Sequence, residues 1–390
     1  MGVRPHLRAC GCVHLPRMYS ESDREFMLRA IALAQHALFH AAPNPRVGCV
    51  IVRDGKVLGE GFTQPPGSNH AEVEAMHDAR RKGHDVRGAT VYVSLEPCSH
   101  FGRTPPCATA LSEAKVARVI AAVEDPNPAV SGRGLEMLRN GGVDVRCGLL
   151  EQEAGEVNAG FFSRMARGRP WVRLKIAASL DGKTALTNGA SQWITSEEAR
   201  RDGHAWRARA CAVLTGLGTV QADNPQLNVR LIQTSRQPIR VVVDSRLEID
   251  PAAHIFDGEG QVLIACALLP TSQKAIVKSE ALKVRGAEIV HVSPDAEHRG
   301  KVDLAALMKT LAARSINEVH VEAGFKLNGS IVRAGLADEL LVYLAPALLG
   351  EATGMVDLPA LSELAQAKRL KFREVVQVGS DVRMLARFDS

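Results

Sequence analysis

The spacing of apolar positions changes several times along this chain, and each change marks a new element. From Asp23 to about Ala41, Phe26, Met27, Ala30, Ile31, Leu33, Ala34, Ala37 and Leu38 recur three and four apart, which predicts a helix. Two β-type runs follow, VGCVIV (47–52) and KVLGEGF (56–62), joined by Asp54-Gly55 as a hairpin. The pattern then predicts a helix from His70 to Lys82, a strand over 89–96 and a helix from Cys107 to Ala114. A strand over 116–125, a helix around Gly134–Asn140 and a strand over 143–148 continue the alternation. Strands alternating with helices after an opening hairpin predict a three-layer α/β/α domain on a mixed sheet. A helix from Glu151 runs out in RMARGRP (164–170), whose Arg, Gly and Pro read as a domain boundary.

A second alternation starts with the strand WVRLKIAAS (171–179). Thr195-Ser196-Glu197-Glu198 reads as a capping box for a helix through Trp206 to Ala210. Buried-strand runs occupy 210–216, 239–245, 261–267, 287–293, 317–324 and 338–346, and 370–389 closes as an antiparallel hairpin. No fixed-period repeat relates the halves, so they are two different α/β domains. The expected division is a loose tail over 1–20, one domain over 21–166 and another over 170–390.

Composition narrows the class. Of 390 residues, 46% are apolar and 23% charged, and no uncharged apolar stretch approaches the roughly 18 residues of a membrane helix. Collagen-like, disordered and membrane-spanning proteins are excluded. A net charge of +5 suits an anionic small-molecule ligand, while 4% aromatics leaves little for stacking nucleic-acid bases. Neither a nucleic-acid nor a membrane partner is expected. Eight cysteines are too sparse for a secreted disulfide scaffold and fit a reducing cytoplasm with one metal site. The first 20 residues lack the apolar core of a signal peptide. Cys10, Cys12 and His14 read as part of a loose terminus rather than a metal cluster, and Met18 is a second possible start.

The strongest chemical signal is His70-Ala71-Glu72 followed by Pro97-Cys98 and Pro106-Cys107. One imidazole and two thiolates are the three protein ligands of a catalytic zinc that keeps its fourth position for water. Glu72, beside His70 at the start of a helix, can shuttle that water's proton without binding metal. This is the H-x-E…P-C pattern of zinc deaminases. The cysteines are nine apart, where the usual pattern spaces them by three. The intervening loop carries His100, which is either a fourth ligand closing a structural site or a wall of the substrate pocket. A closed site would leave Glu72 without a task, which favours the pocket.

The second half lacks a Rossmann fingerprint, since Gly216-Leu-Gly218-Thr-Val-Gln221 has Gln in place of the third Gly. Glu322-Ala-Gly324 and Lys326–Ser330 follow a buried strand and open a helix. That arrangement is a phosphate cradle or a plain strand-to-helix turn, and periodicity does not separate them.

PNPRVGCVIV (43–52), HAEVEAM (70–76), EPCSHFGRTPPC (96–107) and EDPNP (124–128) closely resemble the deaminase half of the RibD family of bifunctional riboflavin-biosynthesis enzymes. RLKIAASLDGKTAL (173–186), SQWIT (191–195), TGLGTVQADNPQLNVR (215–230), VDS (243–245), VEAG (321–324) and YLAPALLG (343–350) resemble its reductase half. The long loop between cysteines is itself a feature of that family. The resemblance implies a cytidine-deaminase-like domain holding one zinc and a dihydrofolate-reductase-like domain using NADPH. It implies deamination of a diaminopyrimidinone bearing a phosphoribosylamino group, then reduction of the ribosyl chain, in a cytoplasmic homo-oligomer. By resemblance, Asn44 and His100 hold the pyrimidine. Ala177, Trp193, Thr219, Asp223 and the segment Gly324, Phe325, Lys326, Leu327, Asn328, Gly329 and Ser330 line the cofactor. Ser191, Arg207, Leu227, Arg230 and Glu322 contact the ribosyl-phosphate substrate, with Lys175 a further contact. Ser245 and Arg246 are expected at the 2′-phosphate of NADPH. Two rivals remain at this level: a nucleoside or tRNA deaminase fused to a nucleotide-binding accessory domain, and a zinc-stabilised binding module.

Overall fold

The structure is a computed structural model that describes residues 19–99, 105–298 and 300–389. The chain divides into two compact units, one running to Arg167 and the other starting at Gly168. The terminal Cys10, Cys12, His14 and Met18 lie outside the described residues.

In the first unit the elements run α1 (Glu21–Gln35), β1 (Gly48–Arg53), β2 (Lys56–Phe62), α2 (Ala71–Arg81), β3 (Thr90–Val93), α3 (Cys107–Glu113), β4 (Arg118–Ala121), α4 (Arg133–Asn140), β5 (Asp144–Cys147), α5 (Glu151–Val157) and α6 (Ala159–Arg167). Among the described residues the sheet order is β2-β1-β3-β4-β5, with β1 antiparallel to both neighbours and β3, β4 and β5 parallel. Successive strand residues point to opposite faces. Gly48 faces α1, where a Cβ would meet the Ala30 carbonyl oxygen at 1.9 Å. Gly61, paired with Cys49, faces α2, where a Cβ would meet the Ala71 oxygen at 2.4 Å. The two helices therefore cover opposite faces at backbone contact distance, through Ala30, Ala34, Ala71, Ala75 and Ala79, all buried. This is the three-layer arrangement the alternation predicts.

Two helix limits differ from expectation. The first helix ends at Gln35, because His36–Ala41 tighten into turns bonded mostly three residues back. The helix from Glu151 breaks at Asn158, whose buried amide accepts from the Arg46 N–H (2.8 Å) and donates to the Arg46 carbonyl (2.7 Å). Pinning the chain ahead of β1 displaces one helical turn.

The second unit contains β6 (Trp171–Ser179), β7 (Lys183–Ala185), α7 (Glu197–Arg209), β8 (Ala212–Gly216), α8 (Leu217–Asp223), β9 (Ile239–Val243), β10 (Val262–Cys266), α9 (Gln273–Val284), β11 (Ala287–His291), α10 (Leu304–Ala313), β12 (Glu318–Val321), α11 (Phe325–Arg333), β13 (Glu339–Ala345), β14 (Thr353–Gly354), β15 (Leu370–Val378) and β16 (Asp381–Phe388). Its main sheet has the order β11-β10-β9-β8-β12-β6-β13-β16-β15, with every pairing parallel except the two made by β16. From β8 the chain steps outward through β9, β10 and β11, then returns to the other side of β8 as β12. Helices α8 and α11 diverge from the ends of that neighbouring pair, so the crevice between β8 and β12 is a topological switch point, where open parallel sheets bind ligands. The cap of α7 differs from the expected box. Ser196 accepts from the Ala199 N–H (3.2 Å), and its own N–H is held by Asp381 (2.8 Å) from the terminal hairpin rather than by a glutamate of the helix.

The close approach of α2 to β2 is directly testable. Gly61→Ala forces a Cβ into the helix backbone one residue from His70, and overpacking of this kind costs about 1–3 kcal/mol. Urea unfolding should show that loss, whereas unchanged stability would mean that the helix lies farther from the strand.

Candidate active sites

The first site forms where two helices begin beside one sheet edge. His70 is the N-cap of α2, Cys107 is the first residue of α3, and Cys98 lies in the segment leaving β3. Their ligand atoms lie within 4.8 Å of one another. His70 Nδ1 is 3.5 Å from Cys98 Sγ and 3.4 Å from Cys107 Sγ. Zinc bonds of about 2.3 Å to sulfur and about 2.0–2.1 Å to nitrogen put tetrahedral N···S edges near 3.5 Å, so the donor set fits zinc without rearrangement.

Charge points the same way. Hydrogen bonding from Cys107, followed by that from His70, holds the Cys98 thiol well below its usual range despite its burial. The Cys107 thiol is pushed up, chiefly by donating to Cys98. Without metal the pair therefore shares one negative charge. Glu72, in the first turn of α2, is buried, and desolvation followed by the nearby Cys98 charge pushes it up to about 7. A bound dication would reverse both pressures. Asn44 is half-buried in the loop entering β1. His100 lies outside the described residues.

The second site lies on the β8–β12 crevice. Gly216 caps α8 and Gly324 caps α11 on adjacent parallel strands, and Gly324 lies beside Thr219, whose Oγ1 a Cβ would meet at 3.7 Å. Two helix N-termini thus open together toward any anion. Of the segment 324–330, Gly324 and Lys326 are exposed, Phe325, Leu327 and Ser330 half-buried, and Asn328 and Gly329 buried. The Asn328 N–H is bonded to the Gly324 oxygen (3.1 Å), and its buried amide donates to the Ala323 carbonyl (3.1 Å). Gly329 is pressed on Asp357, whose carbonyl a Cβ would meet at 2.2 Å, and the Ser330 hydroxyl donates to the Lys326 carbonyl (3.0 Å).

Beside the crevice lies a nearly closed ionic cluster. Arg207 grips Glu322 with Nε and Nη2 (2.9 Å for the latter), while its Nη1 donates to the Asn228 carbonyl (3.0 Å). Lys175 Nζ sits 3.9 Å from Glu322. The two cations hold Glu322 far below the usual carboxylate range despite its burial. Of the expected substrate contacts, Arg207 and Glu322 are thus paired with each other, while Arg230 is exposed.

The remaining expected residues are dispersed around this core. Ala177 is half-buried on β6 opposite Tyr343. The Ser191 hydroxyl donates to Asp223 (3.3 Å), and exposed Trp193 is covered by the Arg200 guanidinium at 4.5 Å. Leu227 is buried at φ 52°, so its backbone rather than its side chain can meet a ligand. The Ser245 hydroxyl accepts from the Val302 N–H (3.1 Å), and exposed Arg246 pairs with Glu248 at 3.4 Å.

Sequence reasoning missed two histidines. His204 accepts the Arg230 N–H on Nδ1 (3.2 Å), and His320 lies 3.6 Å from Glu322. Burial first, then the surrounding cations, keep both neutral, down to about 4 and about 3. A histidine inside the apolar run NEVHVE was the available signal for His320.

Comparison with known proteins places this geometry. Residues 20–123 match the cytidine and deoxycytidylate deaminase zinc-binding region, and 170–384 match the RibD C-terminal domain. The riboflavin biosynthesis protein RibD of Escherichia coli (strain K12) is 46% identical over 373 residues, covering 92% of this chain and 98% of that protein. The chain belongs to the RibD family. Acinetobacter baumannii RibD (form 1) has a TM-score of 0.84 at 39% identity, covering 95% of this chain and 99% of that one. A Thermotoga maritima structure described as a diaminohydroxyphosphoribosylaminopyrimidine deaminase/5-amino-6-(5-phosphoribosylamino)uracil reductase has a TM-score of 0.81 at 33% identity, covering 94% and 99%. Membership in the RibD family accounts for both sites: a cytidine-deaminase-like unit first and a RibD reductase domain second.

The shared charge of Cys98 and Cys107 has a measurable consequence. Zinc binding must displace the Cys107 proton, so metal-free protein at pH 7 should release at least one proton per zinc. Calorimetry in buffers of different ionisation enthalpy reads this number, and zero release would contradict the arrangement.

Proposed function

We propose that this RibD-family chain catalyses two successive steps of riboflavin biosynthesis. The first is zinc-dependent hydrolytic deamination of 2,5-diamino-6-(5-phosphoribosylamino)pyrimidin-4(3H)-one. The second is NADPH-dependent reduction of the ribosyl chain, giving 5-amino-6-(5-phosphoribitylamino)uracil. The observation that carries the reading is the pairing of a His70/Cys98/Cys107 donor set around a buried acid with a parallel-sheet switch crevice beside a cationic cluster.

His70, Cys98 and Cys107 would hold a zinc ion, which would supply a water ionised near neutral pH. Glu72 would carry a proton from the attacking water to the departing amine. Its burial beside the three donors, with no place among them as a ligand, lets one carboxyl serve as base and then acid. Asn44 and His100 orient the pyrimidine. In the second unit a bound nicotinamide would supply the hydride that C1′ of the ring-opened ribosylamine, an imine-like carbon, requires. The protein's task is alignment and exclusion of water. Glu322, fixed by Arg207, faces the ribose hydroxyls. Arg207, Lys175 and Glu322 leave one net positive charge, and with Arg230 this cluster attracts the substrate phosphate. The N–H groups of the α8 and α11 first turns receive the cofactor pyrophosphate. Ser245 and Arg246, following β9, take the 2′-phosphate.

We read the protein as a cytoplasmic homo-oligomer acting on a small molecule. The six described cysteines are free, which suits a reducing compartment, and no described helix is long and apolar enough to cross a membrane.

Two variants test these assignments. Glu72→Gln should retain zinc and reductase turnover while deamination falls about 10²–10⁴-fold, the usual worth of a general acid–base group; loss of metal would refute its role as a non-ligand. Arg246→Ala should weaken NADPH binding about 10–100-fold and leave NADH nearly unchanged, as removal of a charge-assisted phosphate contact requires. Equal loss of both cofactors in a fluorescence titration would place the 2′-phosphate elsewhere.

A further inference from the structure

Glu96, two residues before Cys98, is 3% exposed, and among the described residues no cation pairs with it. Its carboxylate is instead satisfied by four backbone donors. Oε2 accepts the N–H groups of Asp125 (3.1 Å) and Gly132 (2.9 Å), and Oε1 those of Gly134 (2.8 Å) and Leu135 (3.3 Å). The backbone is fixed at the same place, since the Glu96 N–H donates to the Val123 carbonyl (2.9 Å). One side chain thus ties three pieces together: the segment carrying Cys98, the Asp125–Pro128 loop after β4, and the first turn of α4.

The next residue adds a steric stop. A Cβ at Gly134 would lie 1.9 Å from the Pro97 carbonyl oxygen, so α4 meets the chain at backbone contact immediately before the thiolate. On the other side, the Cys98 carbonyl accepts the Ala108 N–H (3.2 Å) from the first turn of α3. Cys98 has little freedom left.

We propose that Glu96 is a positioning residue for the metal centre: with Gly134 it fixes where Cys98 presents its sulfur and where the Asp125–Pro128 loop meets the deaminase pocket. The carboxylate is required because four converging N–H groups need an acceptor-only partner, and a carboxylate offers about four lone-pair sites. An amide of the same shape would turn one acceptor into a donor facing two donors. The sulfur would shift although no ligand is lost. Outer groups of this kind typically change metal affinity about 10–100-fold.

This inference rests on the zinc reading of the first site, and the experiment keeps the two separable. Full-length parent, Glu96→Gln and Gly134→Ala are loaded with zinc or with Co²⁺. Zinc release to a chelator and the Co²⁺ thiolate charge-transfer band are recorded, with reductase turnover as the check on folding. Glu96→Gln should release zinc about tenfold faster or more and shift the cobalt band, with reductase turnover within about twofold of the parent. Gly134→Ala keeps the carboxylate but pushes on Pro97, and should shift the same band. Either variant giving the parental band and release rate, even with lowered thermal stability, would make Glu96 a helix cap and overturn the proposal. A parent that takes up neither metal would refute the zinc reading instead.

Discussion

Charge buried away from water must be matched, and both sites are built by the way this chain meets that requirement. In the first unit, Cys98 is a thiolate beside two other metal donors and an acid, and the donors are spaced for a tetrahedral dication. In the second, Glu322 is held by Arg207 and approached by Lys175, leaving positive charge over. One site calls for a cation. The other calls for an anion. Two different substrate chemistries follow from the sign of what is left unmatched.

Topology delivers those charges. Parallel strands end on one edge and hand the chain to helices whose first N–H groups have no partner within the helix. His70 and Cys107 sit at two such helix starts in the first unit, and Gly216 and Gly324 at two in the second. A helix start favours thiolate and phosphate alike. In the first unit, glycines at 48 and 61 bring the covering helices to backbone distance, which sets how deep His70 and Glu72 reach.

Much of this was legible in the residues themselves. The opening hairpin, the alternation of both halves and the His70/Cys98/Cys107/Glu72 constellation follow from spacing and ligand chemistry, and the fold brings the three ligands together. What stayed hidden depended on contacts between distant segments. Asn158 breaks a helix because it binds Arg46, 112 residues away, and Ser196 is held by Asp381, 185 residues away. Local periodicity carries no trace of either. The same holds for the Arg207–Glu322 pair, 115 residues apart, and for Glu96, whose donors lie 29–39 residues on. Strand order was equally invisible, since the switch between β8 and β12 depends on where the chain returns after β11.

Both sites serve one sequence of reactions: a single chain removes an amine at the first site and reduces the ribosyl chain at the second. The direct measurement supplies purified zinc-loaded protein with the diaminopyrimidinone phosphate and NADPH, following ammonia and nicotinamide absorbance in the same sample. Ammonia should appear first, with NADPH consumed afterwards in equal amount, and omission of NADPH should leave ammonia release intact. Consumption of NADPH without ammonia, or ammonia with no later oxidation of NADPH, would contradict it.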